Sequence, residues 1–362
     1  MNNQRCRSCG YENLKQILDL GFAPPSNALL NEDDLSKGEV HYPLVLLFCD
    51  LCKLVQTLDF HVGESLFTPN YPYLSSTSRT WVEHSYELVD SIVDEFKLGD
   101  TNLVVEVASN DGYLLERLVQ RNIPCYGIEP TKLAADISLN KGHCVYNLFL
   151  NSDTASRIRD DKGTADIVIA NNVFAHVPDL ENFTKAIKTL MSENGVLIIE
   201  VQYFLPLFND ILFDTIYHEH YSYFTLTSIS NLLQRHNFEI FKVAFLKTHG
   251  GSIRVYARNS ATKFISTKYI EPFLFAETSV CNISSLNDFQ DSVNKVKINL
   301  KRFFWECSIQ EEVVVGLGAA AKGNTLINFL GLDSSDIKFV LDSAEPKQGK
   351  YLPGSHIPVY PL

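Results

Sequence analysis

The chain has 362 residues, with 31 Lys and Arg against 43 Asp and Glu, a formal net charge of -12, 45% apolar and 20% charged residues. That length favours two or three domains over a single core, and the acidic balance has the wrong sign for a protein that neutralises the phosphates of a nucleic acid polymer. No apolar stretch is long enough to span a bilayer, and the opening residues lack the apolar segment of a signal peptide. The expected compartment is therefore the cytoplasm, with a monomer as the default state.

The first segment, residues 1–65, alternates turn-like pieces with apolar runs such as Tyr42–Phe48, and is too small to build much of a core unaided. Its cysteines fall into two pairs, Cys6-x-x-Cys9 and Cys49-x-x-Cys52. Each pair sets two thiolates on a tight turn, so four sulfurs can surround one tetrahedral Zn2+ and leave no position open for water. The site is expected to be structural; buried or redox-active thiols are the alternative reading.

Residues 66–240 read as a Rossmann-like α/β domain. After Tyr71-Pro-Tyr73, a helix-spaced segment covers Trp81–Asp90, and then apolar β-branched runs recur at Asn102–Ala108, Pro124–Glu129, Ala165–Ala170 and Gly195–Val201 with helical patterns between them. Such alternation predicts a parallel sheet covered on both faces. Ligands of that architecture lie over the carboxyl ends of the strands.

The turn Glu106-Val-Ala-Ser109-Asn110-Asp111-Gly112 has only one of the glycines that a pyrophosphate site requires. Polar and acidic side chains there suit the amino acid head and sulfonium of S-adenosylmethionine instead. Glu129, 23 residues after Glu106, ends the next strand and suits the two hydroxyls of a ribose, and Asn171 closes a later strand. The bland alternative is that Glu106 and Asp111 only cap and solvate a helix start.

The densest polar and aromatic cluster runs from Asp214 to Phe224 and holds Tyr217, His218, Glu219 and His220. A histidine there can remove a proton near neutral pH, with a carboxylate or phenol to orient it. Metal binding by the two histidines and the glutamate, and a buried aromatic cluster with satisfied histidines, are the other readings. His176, just after a strand, is a candidate substrate contact or a structural histidine.

Residues 241–362 repeat the strand, turn, helix pattern at Glu312–Gly318, Ala319–Asn324 and Ile337–Asp342, predicting a second Rossmann-like unit.

Seven motifs in order, Cys6-Arg-Ser-Cys9, Cys49-Asp-Leu-Cys52, Asn110-Asp-Gly112, Asn172-Val-Phe-Ala-His176, Tyr217-His-Glu-His220, Thr248-His-Gly-Gly-Ser252 and Gly316–Asn324, resemble the nucleotide-sugar C-methyltransferases, which act on carbon 3 of dTDP-4-keto-deoxysugars. The resemblance implies a zinc module, a central class I S-adenosylmethionine-dependent methyltransferase domain and a C-terminal Rossmann-like domain that helps enclose the nucleotide sugar. It implies His220 as base, Tyr217 and Glu219 as groups that orient it or stabilise an enolate, and a tyrosine from Tyr71 and Tyr73 nearby. Asn172, His176 and His218 are expected at the sugar, and His249, Arg254, Lys322 and Asn324 at the nucleotide. In the family the stretch Lys347–Val359 precedes further strands and helices, so a shortened C-terminal domain is expected. An O- or N-methyltransferase on another small molecule, or an inactive methyltransferase-like binding protein, is the competing reading.

Overall fold

The computed structural model describes residues 4–58, 73–260 and 270–362; Tyr71 lies outside them. Three strands form the first module: β1 (Lys15–Ala23), β2 (Tyr42–Phe48) and β3 (Val55–Thr57), paired antiparallel in that order. The apolar run of β2 is buried along Leu44–Phe48, as a strand covered on both sides must be.

A helix, Arg79–Phe96, leads into the central domain. Ser78 caps it by accepting from the Trp81 amide, and Lys97 ends it in the left-handed region. Strands β4 (Val104–Val107), β5 (Cys125–Ile128), β6 (Val145–Tyr146), β7 (Ala165–Asn171) and β8 (Met191–Gln202) follow, separated by helices Tyr113–Gln120, Lys132–Asn140, Ser152–Lys162 and Leu180–Leu190. They pair in parallel in the order β6, β5, β4, β7, β8. One face packs on Leu88, Val89, Ile92 and Leu114, the other on Leu180, Ile187 and Leu233.

Two further strands close this sheet. β9 (Ser222–Tyr223) leaves it to pair with β3 of the first module, whereas β10 (Phe238–Leu246) and β11 (Ser252–Asn259) return as a hairpin, β11 lying antiparallel against β8. The sheet thus runs past residue 240, where the sequence pattern suggested a boundary. Hairpin strands carry no βαβ signature, so periodicity alone assigns them to neither neighbour.

The last unit has long helix Phe289–Ile309, then β12 (Gly316–Leu317), helix Ala321–Leu330, β13 (Val340–Asp342) and β14 (Val359–Pro361) in a parallel three-stranded sheet. Its core is continuous with that of the first module: Phe289, Val293 and Phe329 cluster with Leu18, Leu46 and Phe48, and with Phe204, Phe213 and Ile216 of the central domain. The segment Asp214–Phe224 lies where all three units meet.

Candidate active site

The turn after β4 supplies what its sequence lacks in glycine. Ala108, Asn110 and Gly112 alternate in the left-handed region at φ 54°, 48° and 81°, so two residues with side chains adopt the backbone usually left to glycine. Asn110 is held there by its side chain, which accepts from the Ser75 amide (2.8 Å) and donates to the Tyr73 carbonyl (3.2 Å). Gly112 leaves no room for a side chain unless its neighbours shift: a Cβ would lie 2.3 Å from His143 Nδ1 and 2.4 Å from Ser138 Oγ.

Polar atoms gather around this turn without partners. Both carboxylate oxygens of Glu106, Ser109 Oγ, one oxygen of Asp111 and both amide atoms of Asn171 are buried and make no hydrogen bond among the described residues. Burial lifts the Glu106 carboxyl well above its usual range, an effect that the Tyr113 phenol only partly offsets. Glu129 Oε2 accepts from the Asn110 amide at 2.9 Å, and Oε1 from the Thr131 amide and hydroxyl at 2.8 and 2.5 Å. A ligand rich in amino and hydroxyl donors would satisfy such a set, which fits S-adenosylmethionine and offers no nest for a pyrophosphate.

Among the residues expected at the reaction, His220 and Tyr217 are in direct contact: the Tyr217 hydroxyl is 2.6 Å from His220 Nε2. His220 Nδ1 lies 3.2 Å from the Thr215 carbonyl, which only accepts, so the proton sits on Nδ1 and the lone pair on Nε2. Burial holds this imidazole well below its ordinary pKa, reinforced by nearby His176. The His176 ring packs edge-on against it at 4.7 Å, donates from Nδ1 to the Glu219 carbonyl at 2.8 Å, and is lowered by burial to about 4. A 2.7 Å bond from the Tyr221 amide to the Ala175 carbonyl fastens this loop to the turn after β7, at the ligand edge of the sheet.

Three residues are engaged elsewhere than the sequence pattern suggested. Glu219 does not bond to His220; its Oε1 accepts from the amide and the Nδ2 of Asn27. His218 is buried and donates from Nε2 to the Tyr42 carbonyl at 3.3 Å. Arg254, expected at the nucleotide, forms a buried ion pair with Glu200 through Nη2 (2.8 Å) and Nε (3.1 Å), and His84 Nε2 completes the cluster at 2.9 Å. Burial opposes the charge on Glu200, but His84 and Arg254 outweigh it and leave its pKa lowered. The His220 amide bonds to the Tyr217 carbonyl at 3.0 Å and closes a turn, so Tyr217 and His220 meet at its ends while His218 and Glu219 at its centre reach Tyr42 and Asn27. Glu200 was legible as a carboxylate interrupting an apolar strand; its partners, 116 and 54 residues away, were not.

The second turn of helix Ala321–Leu330 also reaches the loop, because Thr325 Oγ1 donates to the Ile216 carbonyl at 2.9 Å. Asn324 is buried with both amide atoms unpartnered among the described residues. Asn172 stands at φ 54° beyond β7 with its amide on the Glu200 carbonyl, and the exposed His249 sits against Trp81 with ring centroids 5.2 Å apart.

The four expected metal ligands converge. All ligand atoms of Cys6, Cys9, Cys49 and Cys52 lie within 4.8 Å of one another, Cys6 to Cys52 at 3.4 Å and Cys9 to Cys49 at 3.6 Å. Tetrahedral zinc bonded to sulfur places sulfurs ~3.8 Å apart, so the cluster fits that ion. The two knuckles are built alike. The amides of Gly10 and Lys53, both left-handed, return to the carbonyls of Cys6 and Cys49 at 2.8 Å. Arg235 and Asn231 of the central domain bond to Ser8 and the Cys52 carbonyl, joining the cluster to the catalytic unit.

Comparison with known proteins places these features in a family context. Residues 6–67 match a zinc binding domain model, residues 81–243 a methyltransferase domain and residues 247–362 the C-methyltransferase C-terminal domain. The C-methyltransferase NovU of Streptomyces niveus is 30% identical over 357 residues, covering 98% of this chain and 85% of that protein. Among solved structures, an S-adenosylmethionine-dependent methyltransferase from Anabaena variabilis aligns at 15% identity and TM-score 0.44, covering 56% of this chain and 96% of the other. Magnesium protoporphyrin IX methyltransferase from Synechocystis, with bound SAH, aligns at 19% identity and TM-score 0.40, covering 49% and 83%.

Proposed function

The chain belongs to the S-adenosylmethionine-dependent C-methyltransferases, and from that premise we propose that its substrate is a dTDP-4-keto-deoxysugar, methylated at carbon 3. The observation that carries the proposal is the neutral His220, fixed in one tautomer with its lone pair on Nε2 beside the Tyr217 phenol. Carbon methylation needs a base strong enough to remove a proton from carbon. Methylation of an amine or a hydroxyl has no such requirement.

A ketone at carbon 4 acidifies the hydrogen on carbon 3. His220 Nε2 takes that proton, the carbon–hydrogen electron pair moves into the bond between carbons 3 and 4, and the ketone oxygen becomes an enolate. The Tyr217 hydroxyl, displaced from Nε2 by the arriving proton, donates to that oxygen. Glu106, Ser109, Asp111, Glu129 and Asn171 would hold S-adenosylmethionine, which would supply an electrophilic methyl to carbon 3 with its sulfur leaving as the neutral thioether. His176 and Asn172 bound the sugar, and Lys322, Asn324 and His249 offer donors to the nucleotide phosphates. Zinc on the four cysteines holds the first module in shape, and the reaction takes place in the cytoplasm.

Proton exchange tests the reading. Incubated in deuterated water without methyl donor, a dTDP-4-keto-6-deoxyhexose is expected to acquire deuterium at carbon 3. Absence of exchange with any 4-keto sugar nucleotide, together with methylation of an oxygen or nitrogen acceptor, would sink it.

A further inference from the structure

The first module is expected to be scaffold only, yet it delivers one side chain into the reaction loop. Asn27 follows Pro24-Pro25-Ser26 on the connection from β1 to β2 and donates to Glu219 Oε1 twice, from its amide at 3.2 Å and from Nδ2 at 3.1 Å. Glu219 is 1% exposed, and its other oxygen, Oε2, is buried with no hydrogen bond among the described residues.

A buried carboxyl oxygen without a partner is costly and calls for a ligand group. Two donors on Oε1 fix which oxygen that is. They hold the carboxyl plane, keep Oε1 as an acceptor, and leave Oε2 as the acceptor available to a sugar hydroxyl. We infer that Asn27 is a positioning residue of the methyl-transfer reaction, acting on the substrate through Glu219; this rests on the sugar C-methylation proposed above.

The loop carrying Asn27 is itself anchored. The Ala28 amide closes a turn onto the Pro25 carbonyl at 3.1 Å, and Leu30 and Tyr351 exchange backbone bonds of 3.0 and 2.9 Å. Pro24 packs so near Gly354 that a Cβ there would lie 3.1 Å from its ring. Asn27 is therefore held by the last domain as well as the first, and Glu219 senses both.

The test compares the wild-type enzyme with N27A, N27D and E219A on a dTDP-4-keto-6-deoxyhexose. It measures kcat, KM, the pH profile and deuterium uptake at carbon 3 without methyl donor, with S-adenosylmethionine affinity and zinc content as controls. Loss of a hydrogen bond to a carboxylate corresponds to about a ten- to hundred-fold effect. N27A and N27D are each expected to slow exchange and kcat by about that factor with cofactor affinity and zinc unchanged. Removing the Nδ2 donor, which favours the ionised carboxyl, also moves the pH limb belonging to Glu219 upward, which a merely structural role would not do. The double variant N27A/E219A should lose no more than E219A alone, because alanine removes the acceptor through which Asn27 acts. Wild-type activity with an unmoved pH limb in N27A, or additive losses in the double variant, overturns the inference while sparing the proposed reaction. A wild-type enzyme that exchanges no proton overturns both. If N27A does not fold, the near-isosteric N27D decides alone.

Discussion

The hydroxyl of Tyr217 stands 2.6 Å from Nε2 of His220, on the ring nitrogen that the Thr215 carbonyl leaves unprotonated. His220→Asn removes the proposed base and is expected to reduce deuterium uptake at carbon 3 by about 10²–10⁴-fold. Tyr217→Phe keeps the imidazole and removes the donor to the enolate, so exchange is expected to persist at about a tenth or less of the normal rate. Equal exchange in wild type and His220→Asn, followed by NMR, would assign the base elsewhere.

His176 makes stability depend on acidity. Its folded pKa of about 4 lies below the ordinary value near 6.5 because burial disfavours the cation. The stabilisation is fully present above pH 6.5 and is lost as pH falls towards 4, because the unfolded chain takes up the proton first. At pH 5 the loss from this residue is about 2 kcal/mol. Thermal melts between pH 7 and 5 are expected to show a falling Tm, with a shallower fall in His176→Asn; parallel curves would contradict this.

Arg254 and Glu200 form a buried pair, with Glu200 inaccessible and Arg254 8% exposed. Arg254→Met leaves the carboxylate with His84 and the Thr248 hydroxyl but without its guanidinium, and is expected to destabilise the protein by about 3–5 kcal/mol. Nucleotide affinity, read by calorimetry on the folded fraction, should change little. A large loss of nucleotide affinity at unchanged stability would return Arg254 to the substrate.

Gly112→Ala puts a methyl group against His143 and Ser138 at a left-handed position. Overpacking and backbone strain together are expected to cost about 1–3 kcal/mol and to weaken S-adenosylmethionine binding. Denaturant melts and equilibrium binding measure the two separately. Unaltered affinity would show that the turn does not contact the cofactor.

Chelation of zinc is expected to loosen residues 4–58 in hydrogen exchange and, through Asn27 and β9, to lower turnover. The cofactor turn is held by Tyr73, Ser75 and Glu129 rather than by the first module, so S-adenosylmethionine should still bind. Unchanged exchange and turnover in metal-free protein would remove the structural role.

How much was legible follows from the range of the interactions. The strand, turn, helix alternation, the two Cys-x-x-Cys knuckles and the Glu106 to Glu129 spacing are local patterns, and the fold and cysteine cluster match them. The turn Ala108-Ser-Asn-Asp-Gly112 was only half legible. Its left-handed backbone at Ala108 and Asn110 has no glycine to announce it, and Asn110 is held by contacts to Tyr73 and Ser75, more than thirty residues away.

The sequence by itself determined the elements, the two cysteine pairs and the cluster of residue types from which the proposed base is drawn, because propensity, periodicity and motif spacing act along the chain. Only the tertiary structure decided what each polar side chain of that cluster touches. It gave His220 to Thr215 and Tyr217, Glu219 to Asn27, and Arg254 to Glu200. The physical reason is that a buried polar group must find a partner wherever packing brings one. For Glu219 and Arg254 that partner lies 192 and 54 residues away, on strands and loops that meet only after the three units share a core.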